Sequence, residues 1–203
     1  MTDPVRRTRD TYDEIAREFA ARTATPWPEL DAMITAFMVR LPERPRVLDA
    51  GCGPGRDTRL LRGRGARVVA ADVSIGMLRS TSLSGAVQAD LRALPIADAA
   101  MDGVWCQAAL LHVPRADVPG VLAEFARVTR RAGALHLAVS EGDGEGWESG
   151  RYGPDTPRWY VHHRVEPLRE MLTETGWQIV DVTRLRTVRD WLCLLAHQGQ
   201  PAR

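Results

Sequence analysis

The run Asp49-Ala50-Gly51-Cys52-Gly53-Pro54-Gly55 carries the strongest chemical signal in the chain. Glycines at alternate positions let a backbone turn sharply and approach a ligand with no Cβ in the way. A short apolar run, Arg46 to Ala50, precedes them and a helix-length segment follows. The loop therefore falls at the carboxyl end of a strand, where doubly wound sheets bind ligands. Asp72 ends the next strand about twenty residues on, where a carboxylate can accept from ribose hydroxyls. These facts suit a nicotinamide dinucleotide and S-adenosylmethionine alike, so charge has to separate them. Asp49 would repel a pyrophosphate and would suit the ammonium of a methionine moiety, directly or through water. The third glycine also comes one residue earlier than G-x-G-x-x-G requires. Asp90, followed by Leu91, offers an acceptor for an adenine amino group and an apolar neighbour for the ring.

Positioning these residues takes an alternating α/β architecture. Strand-length runs at Arg46–Ala50, Arg67–Ala71, Ala86–Ala89, Gly103–Gln107 and Ala134–Ser140 alternate with helices predicted at Arg56–Arg64, Ile75–Ser82 and Val118–Arg130, the pattern of βαβ units. Ser74 and Asp117 are the expected N-caps of the second and third. Two amphipathic helices come first, with Tyr12, Ile15, Ala16 and Phe19 on one and Leu30, Met33, Ile34, Phe37, Met38 and Leu41 on the other. Thr25-Pro26-Trp27-Pro28 breaks between them. Glu141 to about Arg164, rich in glycine and aromatics, reads as an irregular loop. A helix starting near Pro167 and ending at Gly176, then strands at Trp177–Val182 and Trp191–Ala196, close the chain. Trp27, Trp105, Trp177 and Trp191 read as core.

At 203 residues one domain is expected. Its 27 basic and 26 acidic side chains leave a formal charge of +1, no footprint for nucleic acid. No apolar run is long enough to span a bilayer, and Met1–Asp10 has charges where a signal peptide would be apolar. A cytoplasmic protein without a membrane partner is expected. Cys52, Cys106 and Cys193 form no C-x-x-C pair and suggest neither disulfides nor zinc. Lysine and asparagine are both absent from the chain, so no P-loop lysine or Schiff-base lysine is available.

The sequence resembles the class I S-adenosylmethionine-dependent methyltransferases, in particular the small bacterial UbiE-like, methyltransferase type 11 group. Tyr12-Asp13-Glu14-Ile15-Ala16 matches the N-terminal lid motif, Val47 to Gly55 the glycine motif, and Asp72 and Asp90-Leu91 the ribose and adenine positions. Ala108-Ala109-Leu110-Leu111-His112-Val113-Pro114 is similar to the motif after the fourth strand. Arg131-Ala132-Gly133-Ala134 departs from the usual P-G-G turn. The resemblance implies a Rossmann-like sheet of seven strands, mostly parallel with the last antiparallel, under two lid helices. The expected layout is lid helices over 1–44, cofactor-binding core over 45–140, substrate-side loop over 141–165, and a closing helix and β-hairpin over 166–203. It implies S-adenosylmethionine as cofactor, no metal, and a cofactor set of Tyr12, Asp49, Gly51, Cys52, Gly53, Gly55, Asp72, Val73, Met77, Asp90, Leu91 and Gln107. Tyr12 would close over the methionine half.

A small-molecule acceptor is expected, with an O, N, S or C nucleophile, because the chain lacks both [DN]-P-P-[YFW] and the asparagine common in metal-assisted catechol sites. His112, at the crevice rim, is the candidate general base if the acceptor is a hydroxyl; the alternative is a histidine fixed to backbone. Trp147, Tyr152, Trp159, Tyr160, His162 and His163 are the candidate substrate residues, with Arg151 and Arg158 able to hold a carboxylate or phosphate. A plain surface loop is the alternative for that segment. Two further readings of the whole chain stay open: a dinucleotide-dependent oxidoreductase of the same fold class, and a non-catalytic cofactor-binding subunit.

Overall fold

The computed structural model describes residues 3–81 and 83–199. Helix α1, Pro4–Thr23, starts where Asp3 accepts from the Val5 N–H at 3.0 Å and a proline takes the first turn. It buries Val5, Thr8, Thr11, Ile15 and Ala16. Helix α2, Pro28–Met38, buries Leu30, Ile34 and Phe37. The alternating region then runs β1 (Arg46–Ala50), α3 (Arg56–Gly63), β2 (Arg67–Asp72), α4 (Ile75–Ser80), β3 (Ala86–Gln88), β4 (Met101–Gln107), α5 (Val118–Val128) and β5 (Thr129–Glu141). After it come β6 (Glu145–Gly150), β7 (Gly153–His163), α6 (Val165–Glu174), β8 (Trp177–Arg186) and β9 (Asp190–Gln198).

Strands β3, β2, β1, β4 and β5 pair in that order, all parallel. β9 runs antiparallel along the free side of β5 and carries β8 beyond it, again antiparallel. This is the expected layered sheet of seven strands. β1 lies between β2 and β4, so the order reverses beside it and the crevice opens at its carboxyl end. One face packs on α5 and α6 through Val118, Leu122, Phe125, Leu168 and Leu172; the other packs on α2 and α3 through Ile34, Phe37, Leu61 and the buried Trp105.

The segment expected as an irregular loop is a β-hairpin, which brings the count to nine strands among the described residues. β6 and β7 pair antiparallel with Trp147 opposite Trp159, and β7 joins β5 in parallel at Ser140 and Glu141, beyond the stretch that β4 pairs. The glycines that suggested a loop sit at its ends: Gly142, Gly144, Gly150 and Gly153 all have positive φ. Between them Trp147 on β6 and Thr156, Trp159, Tyr160 and Val161 on β7 are the aromatic and β-branched residues that favour strand pairing.

Smaller differences have local causes. Ser74 caps α4 as expected, accepting from Met77 N–H at 3.0 Å, but the expected helix end at Ser82 lies outside the described residues. Asp117 makes no cap bond; its carboxylate is drawn to Arg92 at 3.2 Å. In the departing Arg131-Ala132-Gly133 turn, Ala132 sits at φ +60, the left-handed region that favours glycine.

Candidate active site

The glycine loop leaves β1 with three glycines in the left-handed region, at φ +76, +52 and +80 for Gly51, Gly53 and Gly55. Packing adds to that constraint: a Cβ on Gly51 would lie 2.1 Å from the Ala109 Cβ, and one on Gly55 would lie 2.6 Å from Leu83. The loop's amides are spent within the protein. Gly51 and Cys52 N–H donate to the Ala71 carbonyl at 2.8 and 2.9 Å, Gly53 N–H to Asp72 Oδ2 at 2.8 Å, and Gly55 N–H to the Cys52 carbonyl at 2.9 Å. Pro54 has none to give. A pyrophosphate held by a glycine loop needs free N–H groups, and this loop does not offer them.

The groups around the loop are acidic, and Asp49 and Asp57 are buried. Asp49 accepts from the Thr58 hydroxyl at 2.5 Å, and burial, reinforced by Asp57 and then by Asp72, pushes its pKa far above the carboxylate range. Asp57 takes the Trp105 indole N–H at 2.9 Å and Arg56 at 2.7 Å, while Arg56 lies over the Trp27 ring. Asp72 uses one lone pair on each oxygen, for Gly53 N–H and Ser74 N–H, and burial raises it to about 6. Each oxygen keeps a second lone pair for a hydroxyl donor.

Leu91, expected beside an adenine, and Met77 are buried. Asp90 is held differently from the expectation of a free acceptor: Arg92 reaches both its oxygens and also binds Asp3 and Asp117. Gln107 is oriented by His136, whose Nε2 lies 2.8 Å from Gln107 Oε1 and whose ring stacks on Trp105 at 3.7 Å. Burial pulls His136 down to about 3, so it is neutral.

The lid helix is fastened over this half. Asp13 accepts from Ser74 Oγ at 2.6 Å and Gly76 N–H at 2.7 Å, and a Cβ on Gly76 would meet the Asp13 backbone at 2.8 Å. Tyr12 thereby reaches His112: its hydroxyl lies 2.7 Å from Nε2, while Nδ1 lies 2.6 Å from the Trp159 carbonyl. A carbonyl only accepts, so Nδ1 carries the proton and Tyr12 donates to Nε2. Burial pulls His112 down to about 3 and holds the Tyr12 phenol above its ordinary value. His112 is thus both fixed to backbone and present on the wall of the crevice.

A cavity of about 650 Å³ joins these groups. It gathers every expected cofactor residue except Gly55, whose role is packing, and it includes His112. Of the substrate candidates, Tyr152 and Tyr160 line it. Trp147 and Trp159 do not: they pack edge-to-face at 5.3 Å on the hairpin, with Arg7 over Trp147. His162 is held by Ser140 and Glu148 at 2.8 and 2.7 Å, and His163 is buried with neither ring nitrogen bonded within the protein. Trp27, expected as core, packs against the α2 cluster and also lines the cavity, and Trp191, likewise expected as core, lines it too, as do Arg158 and Arg189. Thr58 and Arg92 escaped the sequence reading; an acidic side chain in a buried strand, and an arginine two residues past an aspartate, were the available signals. Among the described residues no group of three or more His, Cys, Asp or Glu could hold a metal, and no helix is long and apolar enough to cross a membrane.

Comparison with known proteins points the same way. Residues 48–137 match the family described as Methyltransferase domain. A malonyl-[acyl-carrier protein] O-methyltransferase of Enterobacter lignolyticus (strain SCF1) is 39% identical over 114 residues, 53% of this chain and 45% of that protein. A demethylmenaquinone methyltransferase of Thermobifida fusca (strain YX) is 35% identical over 178 residues, 83% of this chain and 63% of that protein. The match thus spans less than half the length of the former and under two thirds of the latter. In fold, the chain is similar to Burkholderia thailandensis 1,6-didemethyltoxoflavin-N1-methyltransferase, solved with 1,6-didemethyltoxoflavin and S-adenosylhomocysteine, at TM-score 0.77 and 21% identity over 98% of this chain and 92% of that one. The fold and the domain are those of a class I methyltransferase. The methyltransferase domain spans residues 48–137, and both of these curated relatives are named as methyltransferases.

Proposed function

We propose that this chain transfers the methyl group of S-adenosylmethionine to a small-molecule acceptor in the 650 Å³ cavity. The observation that carries the reading is the amide accounting of the glycine loop: its N–H groups are consumed internally and buried carboxylates surround it, which suits a cationic methionine moiety and disfavours a pyrophosphate. The cofactor supplies an electrophilic methyl group on a sulfonium. Asp72 accepts from the ribose hydroxyls with its spare lone pairs, and Asp49 offers its carboxylate to the ammonium. Leu91 and Met77 bury the adenine, Val73 and Cys52 fill its surroundings, and Tyr12 closes the methionine half.

The protein's remaining work is alignment, exclusion of water and, for a hydroxyl acceptor, removal of a proton. His112 is the base in that case. It is neutral, and its Nε2 is open to any hydroxyl that displaces the Tyr12 hydrogen bond. An acceptor that arrives as an anion needs no base. The relatives act, by their names, on malonyl-[acyl-carrier protein] and on demethylmenaquinone, acceptors too different to choose between on likeness alone. The test is mass spectrometry of acceptor panels incubated with cofactor. A gain of one methyl supports the reading; NADH oxidation with no methyl gain would favour a dinucleotide enzyme, and cofactor binding without turnover a non-catalytic subunit.

A further inference from the structure

The acceptor half of the cavity contains a cation with no anion. Arg158, on β7, is only 7% exposed, and the titratable groups that bear on it are Tyr12, Tyr152, Tyr160 and the neutral His112. Its guanidinium carbon stands 5.6, 5.2 and 5.3 Å from the three tyrosine rings. Nη1 donates weakly to the Tyr12 hydroxyl at 3.3 Å, and Nε is buried with no partner at all. The neighbouring Arg189 is satisfied, by Glu148 at 2.7 Å, and Glu148 is shared with His162. No carboxylate among the described residues pairs with Arg158, as the ion pairs of its neighbours go elsewhere.

A buried guanidinium cannot shed its proton, and cation–π contacts with three phenol rings offset only part of its lost hydration. An arginine left so is destabilising unless something with negative charge completes it. We propose that Arg158 is the anchor for a carboxylate on the methyl acceptor, so that the substrate is a carboxylic acid whose acid group meets the guanidinium from the cavity. This rests on the methyltransferase reading above. A carboxylate matches the single charge of Arg158, the buried arginine of this wall; Arg22, Arg56, Arg151 and Arg189 line the same cavity. The planar fork of Arg158 fits a carboxylate bidentately, and Tyr152 and Tyr160 line the cavity on either side for an apolar body. The anchor also lies where an acceptor must be aligned: Arg158 touches the Tyr12 hydroxyl, which touches His112. Arg158 is a binding group here, and the methylated atom lies elsewhere on the acceptor.

The test uses calorimetric titration of the full chain, with and without S-adenosylhomocysteine, against benzoate, hexanoate, their neutral amides and inorganic phosphate. At least one acid is expected to bind ten or more times tighter than its amide and tighter than phosphate. In Arg158→Leu that preference should vanish while S-adenosylhomocysteine affinity stays within a few fold. Arg158→Gln serves if the leucine variant fails to fold, and Arg158→Lys should keep part of the preference. Acids binding no better than amides, phosphate binding best, or a tenfold loss of S-adenosylhomocysteine affinity in the variant would each overturn the assignment, the last by making Arg158 a cofactor contact. If wild-type protein ignores S-adenosylhomocysteine but still prefers acids, the methyltransferase reading fails and the carboxylate site survives.

Discussion

The Tyr12 hydroxyl and His112 Nε2 lie 2.7 Å apart although 100 residues separate them in the chain, and the Trp159 carbonyl on the far side of the ring fixes which atom holds each proton. Lid helix, crevice rim and hairpin are thereby one hydrogen-bonded unit. Thr8 and Thr11 of α1 add to it, Thr8 accepting from Trp159 N–H at 2.9 Å and Thr11 donating to the Pro157 carbonyl at 2.8 Å.

The first consequence concerns pH. A histidine at an open rim would titrate near 6.5 and give the methyl-transfer rate a limb there. Burial instead pulls His112 down to about 3, so the ring is neutral across the working range. Single-turnover methyl transfer should therefore show no limb between pH 5.5 and 8, even if His112 is the base. Tyr12→Phe removes the hydrogen bond that a hydroxyl acceptor has to displace from Nε2, so turnover on such an acceptor should not fall, and the retained ring should keep S-adenosylhomocysteine affinity within a few fold. A rate that climbs through pH 6.5 and is lost in His112→Ala would mean the ring is more open than this geometry allows.

Asp49 gives a linkage of opposite sense. Its folded pKa is raised, by burial first and by Asp57 next, so without ligand it binds a proton near neutral pH. Raised folded values contribute stability that is lost as pH rises through them. An ammonium beside the carboxylate restores the ionised form, so binding should release a proton. S-Adenosylhomocysteine affinity is expected to rise roughly tenfold or more from pH 6 to 8, with heats that depend on the buffer's ionisation enthalpy. Flat affinity and buffer-independent heats would remove Asp49 from the ammonium's surroundings.

His163 is a stability probe away from the chemistry. It is 1% exposed, unbonded at both nitrogens within the protein, and pulled down to about 4 by burial. The unfolded residue takes a proton below about 6.5, so this site loses stability as pH falls from there toward 4. His163→Leu should stabilise the fold by about 1 to 3 kcal/mol at pH 7, because it removes an unpaired buried polar ring. At pH 5 the gain should be about 2 kcal/mol larger, the proton-binding free energy of the unfolded histidine. Urea unfolding at both pH values reads this, and an equal or smaller gain at pH 5 would show that the ring is hydrated or charged when folded.

The alternating core was legible because its signals are local. Strand-length apolar runs, Ser74 as a cap and the glycine loop each depend on neighbours within a few residues. The placing of the candidate cofactor residues Asp49 and Asp72 together is local too, since β1 and β2 put them at adjacent strand ends by register alone, Asp49 opposite Ala70. The hairpin was hidden because its glycines, which mark its ends, outweighed the cross-strand pairing of Trp147 with Trp159, a relation no single-strand window contains. Nonlocal geometry also decided among the aromatics: Trp191 enters the cavity from β9 while Trp159 turns away from it, and both belong to strands. Arg151 and Arg158 read alike in the sequence, as loop arginines able to hold an anion, and only burial without a partner distinguishes Arg158.

Cofactor choice is the claim on which the other readings rest, and titrating S-adenosylhomocysteine and NADH into the same preparation by calorimetry tests it most directly. With the loop's N–H groups spent internally and Asp49 beside them, S-adenosylhomocysteine should bind one to one at micromolar concentration or tighter, and NADH should give no comparable heat. NADH binding as tightly as S-adenosylhomocysteine, or S-adenosylhomocysteine failing to bind below millimolar concentration, would contradict the account.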